Sequence, residues 1–404
     1  MAGTGTRVRR PSRLGALDAL RFVAALSVVA FHFTGISPAW GGGAPEELDP
    51  LGRWAAYGAM GVPLFFVISG FVVLMTAWGR DIPHFVASRI GRLFPAYWVA
   101  VVLAAVIAFY AWPAVGPEMT KAQAAMNLTM LQAAFGVPDL DGAYWTLWYE
   151  ARFYVLLAIF ILVGISRARV LVFATFWPIA GALAEQADQR LLVTILMPDF
   201  APYFAGGMLL YVLYRDGHDL GTWLLLALQS VIALEFATGH YPTALTVATS
   251  WPTSTLVVAL ISMSCFGLVA LVTLTRVGLR SARWMTFLGA LTYPLYLVHE
   301  KLGWYVIHLL DERVDPWLAL GAAVLATLAT ATVVYYLVER PLGGRLRAAM
   351  LHALQRAKPQ EQAPTIPQQT HRAASARLQR PAVATHANAV PDDVRLPVPA
   401  GARD

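Results

Sequence analysis

The sequence predicts an all-α fold: a polytopic membrane helical bundle of about ten transmembrane helices, with both termini cytoplasmic. Three observations carry this. Of 404 residues, 58% are hydrophobic and only 13% charged, whereas soluble domains carry about 25% charged residues. Apolar runs recur at the length a helix needs to cross about 30 Å of hydrocarbon. Lys and Arg collect in alternate connections between those runs, as the positive-inside rule requires. The formal net charge of +6 is therefore a topology signal, and no nucleic-acid partner is expected.

The elements follow in order. Residues 1–16 hold Arg7, Arg9, Arg10 and Arg13 without an acid and form a basic cytoplasmic segment. The first apolar run lacks a small-residue cleavage site, so it reads as a span rather than a leader. Helix 1 covers 17–37, and the loop 38–57, with Glu46, Glu47 and Asp49, lies outside. Helix 2 returns over 58–79. The loop 80–92 carries Arg80, Arg89 and Arg92 and is inside. Helix 3 spans 93–112. An outer segment, 113–144, includes a short amphipathic piece at 121–134. Helix 4 runs 144–166 and helix 5 runs 170–184, with an outer turn at Glu185, Asp188 and Arg190. Helix 6, 191–214, should kink or break at 198–202, where two prolines fall. Helix 7 covers 222–238, helix 8 covers 253–275, helix 9 covers 284–309 and helix 10 covers 317–338. The transmembrane unit is 17–347. Residues 348–404 are rich in Ala, Gln, Pro and Arg and read as a disordered cytoplasmic tail. No internal repeat is visible, which counts against an inverted-repeat transporter. The one cysteine, Cys265, excludes a disulfide framework and any Cys/His metal centre around it, and no metal ligands are assigned.

Candidate chemistry centres on the stretch 17–33, LDALRFVAALSVVAFHF. A charged group in mid-bilayer costs about 2.5–3.5 kcal/mol on insertion scales. Arg21 and His32 are eleven positions apart, which is three turns plus about 20° on an α-helix and about 16 Å along its axis. Both therefore leave one face. Arg89 and Arg92 stand at i, i+3 and share a helical face. Their two guanidiniums suit phosphate; the bland alternative is positive-inside anchoring. Glu150, in YWTLWYEARFY, is expected in the outer third beside His32, where its carboxylate would orient the imidazole as a general base. The alternative is a surface charge pair with Arg152 or Asp141. His299, followed by Glu300 in helix 9, is either a satisfied core histidine or part of the site. Ser69 more readily serves close helix packing with Gly70 than nucleophilic attack. Trp145, Trp148, Tyr149 and Tyr154 fit an interfacial aromatic belt or a sugar-stacking surface.

These pieces, in this order, resemble the acyltransferase-3 family of integral membrane acyltransferases. The resemblance runs over LDALRFVAALSVVAFHF, FFVISGFVV, RIGRLFPAYW, YWTLWYEARFY, APYFAGGMLLY, YPLYLVHE and VERPLGG, across about residues 14–345. It implies acyl transfer from a cytoplasmic donor, commonly acyl-CoA, to a hydroxyl of a carbohydrate or lipid-linked glycan. Arg21 and His32 match the first-helix pattern, Arg89 and Arg92 the arginine pair, and Glu150 the acidic residue after the Trp-Thr-Leu segment. No appended extracellular hydrolase-like domain is expected. The resulting expectation is an O-acyltransferase of the inner membrane with no bound cofactor, using acyl-CoA, by default acetyl-CoA, as co-substrate. Arg21, Arg89 and Arg92 would grip the donor. His32 and Glu150 would be catalytic, and Trp145 and His299 would contact substrate. The rival is a proton-coupled transporter or flippase for a glycosylated or acylated lipid, since intramembrane Arg, His and Glu also suit a carrier. Oligomeric state is not readable from the sequence.

Overall fold

A segment without water around it must satisfy its own backbone, and only helices do so within one run. The computed structural model describes residues 14–36, 38–41, 44–116, 118–279 and 282–356, and within them every long element is a helix. Nine of these are long and apolar enough to cross a membrane: α1 (Gly15–Gly35), α2 (Glu46–Ala77), α3 (Ile82–Ala111), α4 (Gly142–Val163), α5 (Arg167–Gln186), α6 (Arg190–Asp216), α7 (Leu220–Thr249), α8 (Thr255–Leu274) and α10 (Pro316–Arg356). A further helix, α9 (Arg283–Leu310), has 28 residues and is more polar, because it buries His299, Glu300 and Lys301. Ten long helices, nine of them apolar enough to span, stand against the expected ten or so spans.

The bundle closes where glycine lets backbones approach. A Cβ at Gly70 of α2 would lie 2.1 Å from the Phe204 carbonyl oxygen, and one at Gly207 of α6 would lie 2.0 Å from that of Val67. The α1–α9 contact is equally close, with Gly303 against the Phe33 ring and Gly289 against Asp18. Away from these seams, Leu220, Leu224, Leu228 and Val231 of α7 form an exposed apolar stripe at helical spacing, as a lipid-facing surface should.

Several boundaries differ from expectation. The chain expected as loop 80–92 is helical from Ile82, because Asp81 caps the helix by accepting from the His84 N–H at 3.1 Å and Pro83 sits in the first turn. Arg89 and Arg92 therefore lie about 10 and 15 Å along α3. Helix 7 does not stop at 238. It continues past Pro242 to Thr249, and the Pro242 carbonyl is taken by the Thr253 hydroxyl at 2.7 Å. Helix 10 runs on to Arg356, past the expected end of the membrane unit at 347. The expected break in helix 6 is present: Arg190–Leu196 and Ala201–Asp216 are separate pieces, with Met197 at φ +54° between them. The amphipathic piece at 121–134 is a short capped helix, Lys121–Met126, followed by 3₁₀ turns. Most of the basic N-terminal segment, and the tail beyond 356, lie outside the described residues.

Candidate active site

The first helix leaves regular geometry at the position that matters. After Ala30, α1 widens into a π-turn over Phe31–Gly35. Two indoles take carbonyls there: Trp304 Nε1 donates to the His32 oxygen at 2.7 Å and Trp40 Nε1 to the Phe33 oxygen at 2.9 Å. Such π-bulges recur at functional sites. This one clamps the backbone that carries His32.

The His32 ring meets α9. Its Nδ1 is 3.0 Å from the Val28 carbonyl oxygen and 3.0 Å from His299 Nε2, and its Nε2 is 3.4 Å from Glu300 Oε2. Protons can be placed from the acceptor-only groups. His299 Nδ1 faces the Tyr296 carbonyl at 2.8 Å, so it carries hydrogen and leaves Nε2 with a lone pair. His32 Nδ1, between that lone pair and the Val28 carbonyl, is then the N–H. His32 Nε2 is then left with the lone pair, and Glu300 Oε2 stands 3.4 Å from it without a hydrogen bond. Glu300 is held by the Gly142 N–H, which donates to Oε1 at 3.0 Å. Beside it, the Lys301 N–H donates to Asp141 at 3.2 Å, and Lys301 Nζ donates to the Val115 carbonyl at 2.9 Å. The charged residues of α9 thus pin the outer segment against the histidines.

The expected pairing of His32 with Glu150 is not what the fold builds. Glu150 Oε1 accepts from the Ser69 hydroxyl at 3.1 Å and from the Tyr154 hydroxyl. Counted from Trp145, Glu150 lies about 8 Å inside the outer end of the regular helix Trp145–Val163, in its outer third as expected; its direction, not its depth, keeps it from His32. It lines a small cavity with Arg21, Arg92, Ser69, Tyr293 and Tyr296 among its walls. Arg89 is not part of that lining. Its guanidinium donates to the Thr76 hydroxyl at 3.3 Å and lies 5.7 Å from the Tyr154 ring centroid, behind the cavity wall. The arginine pair is therefore split, with Arg92 on the cavity and Arg89 bracing Tyr154.

Arg21 and His32 do share a face, and α9 is what they share. Arg21 lines the cavity with Gly289, Thr292, Tyr293 and Tyr296, while His32 meets His299 and Glu300 one to two turns further along the same helix. Tyr296 belongs to both regions. Its hydroxyl is 2.8 Å from that of Thr146 on the cavity, and its carbonyl holds His299. The His32 side chain retains 12% exposure, so it is not sealed. Trp145 lies elsewhere: it lines a second cleft of about 600 Å³ with Asp199, Phe200, Phe236, His240 and Tyr241. Glu300, Tyr296 and Ser69 join the site only in the structure. The available signal was three ionisable side chains in a row, His299, Glu300 and Lys301, inside an otherwise apolar helix.

Comparison with known proteins follows the same lines. A family model described as an acyltransferase domain matches residues 14–337. The acyltransferase MdmB of Streptomyces mycarofaciens is 26% identical over 375 residues, 82% of this chain and 92% of the relative. The peptidoglycan O-acetyltransferase OatA of Listeria monocytogenes is 26% identical over 178 residues, 39% of this chain and 26% of the relative. The putative peptidoglycan O-acetyltransferase YrhL of Bacillus subtilis is 28% identical over 177 residues, 38% and 25% respectively. The match thus spans about a quarter of the length of the two peptidoglycan proteins. No solved structure matches the chain.

Proposed function

This chain belongs to the acyltransferase-3 family, and from that premise we propose that it is a multi-pass O-acyltransferase of the inner membrane. It moves a short acyl group, acetyl by default, from cytoplasmic acyl-CoA to a hydroxyl of a carbohydrate or glycan acceptor. The observation that carries the reading is the His32–Glu300–His299 cluster set beyond an arginine-lined cavity on one face of α9.

In this scheme Arg21 and Arg92 hold donor phosphate or the polar pantetheine arm, and Arg89 keeps Tyr154 on Glu150. The acceptor hydroxyl loses its proton to the His32 Nε2–Glu300 pair as its oxygen attacks the thioester carbonyl. The C–S bond breaks, and the proton passes to the departing thiolate. His299 is a positioning residue: it accepts from His32 Nδ1 and so keeps Nε2 turned toward Glu300. General-base assistance is typically worth 10²–10⁴-fold.

The deciding experiment incubates the purified protein with radiolabelled acetyl-CoA and candidate glycans. Label should appear on the acceptor, and His32→Ala should abolish transfer while the protein still inserts and folds. A carrier would leave the label on CoA, and near-normal transfer by the His32 variant would refute the mechanism.

A further inference from the structure

Away from the histidine cluster, three elements converge near the end of the bundle read as outer. Glu185 ends α5, Asp199 lies in the break of α6, and His240 is in the second half of α7. Each brings one ligand atom to within 4.8 Å of the others. Neither carboxylate takes a hydrogen bond or close ion pair from any described residue. Two half-buried carboxylates held together without a donor repel each other. The neighbouring Arg152 guanidinium acts on Asp199 only from a distance: it lies 4.1 Å from the Tyr149 ring centroid and donates to the Trp148 and Thr194 carbonyls.

The histidine is prepared to coordinate. Its Nδ1 is 3.1 Å from the Phe236 carbonyl oxygen, an acceptor only, so Nδ1 carries the hydrogen and Nε2 keeps the lone pair. A backbone carbonyl fixing the tautomer in this way is the usual support of a metal-binding imidazole. Asp199 and His240 also line the cleft shared with Trp145 and Tyr241, which leaves a position open to solvent.

We propose that Glu185, Asp199 and His240 form a binding site for a divalent transition cation of the zinc type, with water as the remaining ligand. One imidazole with two carboxylates is a donor set for zinc and its first-row neighbours, whereas calcium and magnesium prefer oxygen alone. Ligands at about 2.0–2.2 Å from one ion stand roughly 3–3.5 Å apart. The side chains must close by about an ångström, and Glu185, at a helix end, has the freedom to do so. The ion would tie α5, α6 and α7 together beside the cleft. This inference does not depend on the acyl-transfer reading.

The test uses the full chain, free of any histidine tag, stripped with chelator in detergent and dialysed against Zn²⁺. Close to one ion per chain should be retained, and the melting temperature should rise by a few degrees. Asp199→Asn and His240→Gln should each weaken Zn²⁺ binding by at least tenfold without lowering the metal-free melting temperature. Glu185→Gln, at the partly exposed rim, repeats the test with the smallest risk to folding. Uptake no greater than background, uptake unchanged in the variants, or tighter binding of Ca²⁺ than Zn²⁺ would each overturn the site.

Discussion

His32 is defined by its three neighbours, and each makes a separable contribution. Val28 and His299 settle which nitrogen carries the proton, and Glu300 faces the nitrogen that would receive one. Glu300→Gln preserves size and the acceptor for the Gly142 N–H, yet it cannot exchange a proton with Nε2. Turnover should fall about 10²–10⁴-fold, the usual worth of general-base assistance, with little change in the donor KM. Glu150→Gln acts among the arginines of the cavity instead, so donor KM should rise before kcat falls. Rates measured across acyl-CoA concentrations separate the two, and the opposite pattern would return the role to Glu150. Arg92→Ala, on the cavity wall, should raise donor KM more than Arg89→Ala, which removes only a brace behind Tyr154.

At the scale of helices, the site depends on seams that tolerate no extra atoms. The α2–α6 seam positions Ser69 against the cavity, and Gly207 touches backbone there. A methyl at Gly207 would meet the Val67 carbonyl oxygen at 2.0 Å, an atom that cannot rotate away. Gly207→Ala should destabilise the protein by about 1–3 kcal/mol, as overpacking does, read as a lower melting temperature in detergent. Gly239→Ala, inside α7 where nothing lies within 4 Å, is the control and should be neutral to stabilising by up to about 1 kcal/mol. The π-turn in α1 belongs to the same scale. It brings the His32 and Phe33 carbonyls to the Trp304 and Trp40 indoles, so the ring is held from its backbone as well as its tip.

For the whole molecule, the ten long helices of the described residues, nine of them long and apolar enough to cross a membrane, would return the chain to the side where it began if each crosses. The positive-inside pattern names that side cytoplasmic. On the proposed topology the arginine-lined cavity would face the cytoplasm and the histidine cluster the outside, the polarity that the proposed donor and acceptor require. Cys265 is the one cysteine and is buried, so site-directed labelling is practical on a Cys265→Ser background. Lys121→Cys should react with an impermeant maleimide on intact cells, and Arg356→Cys only after permeabilisation. Labelling of both from one side would reverse or break the topology.

Hydropathy and the spacing of basic residues are properties of neighbouring positions, and they sufficed for ten helices, the interruption in the sixth and the shared face of Arg21 and His32. The reason is that a bilayer forces each run to satisfy its own backbone, so existence of a span is a local matter. The start of the third helix was less legible, because a single Asp81 cap outweighs a cluster of arginines that reads as loop. Partnership was not local at all. Glu150 looked like the carboxylate for His32 since both were placed near the outer face, yet α4 turns it to Ser69 and Tyr154, and α9 supplies Glu300. Which buried charge meets which depends on how helices distant in the chain dock along glycine seams. That choice is made by packing between helices, and no pattern within one of them encodes it.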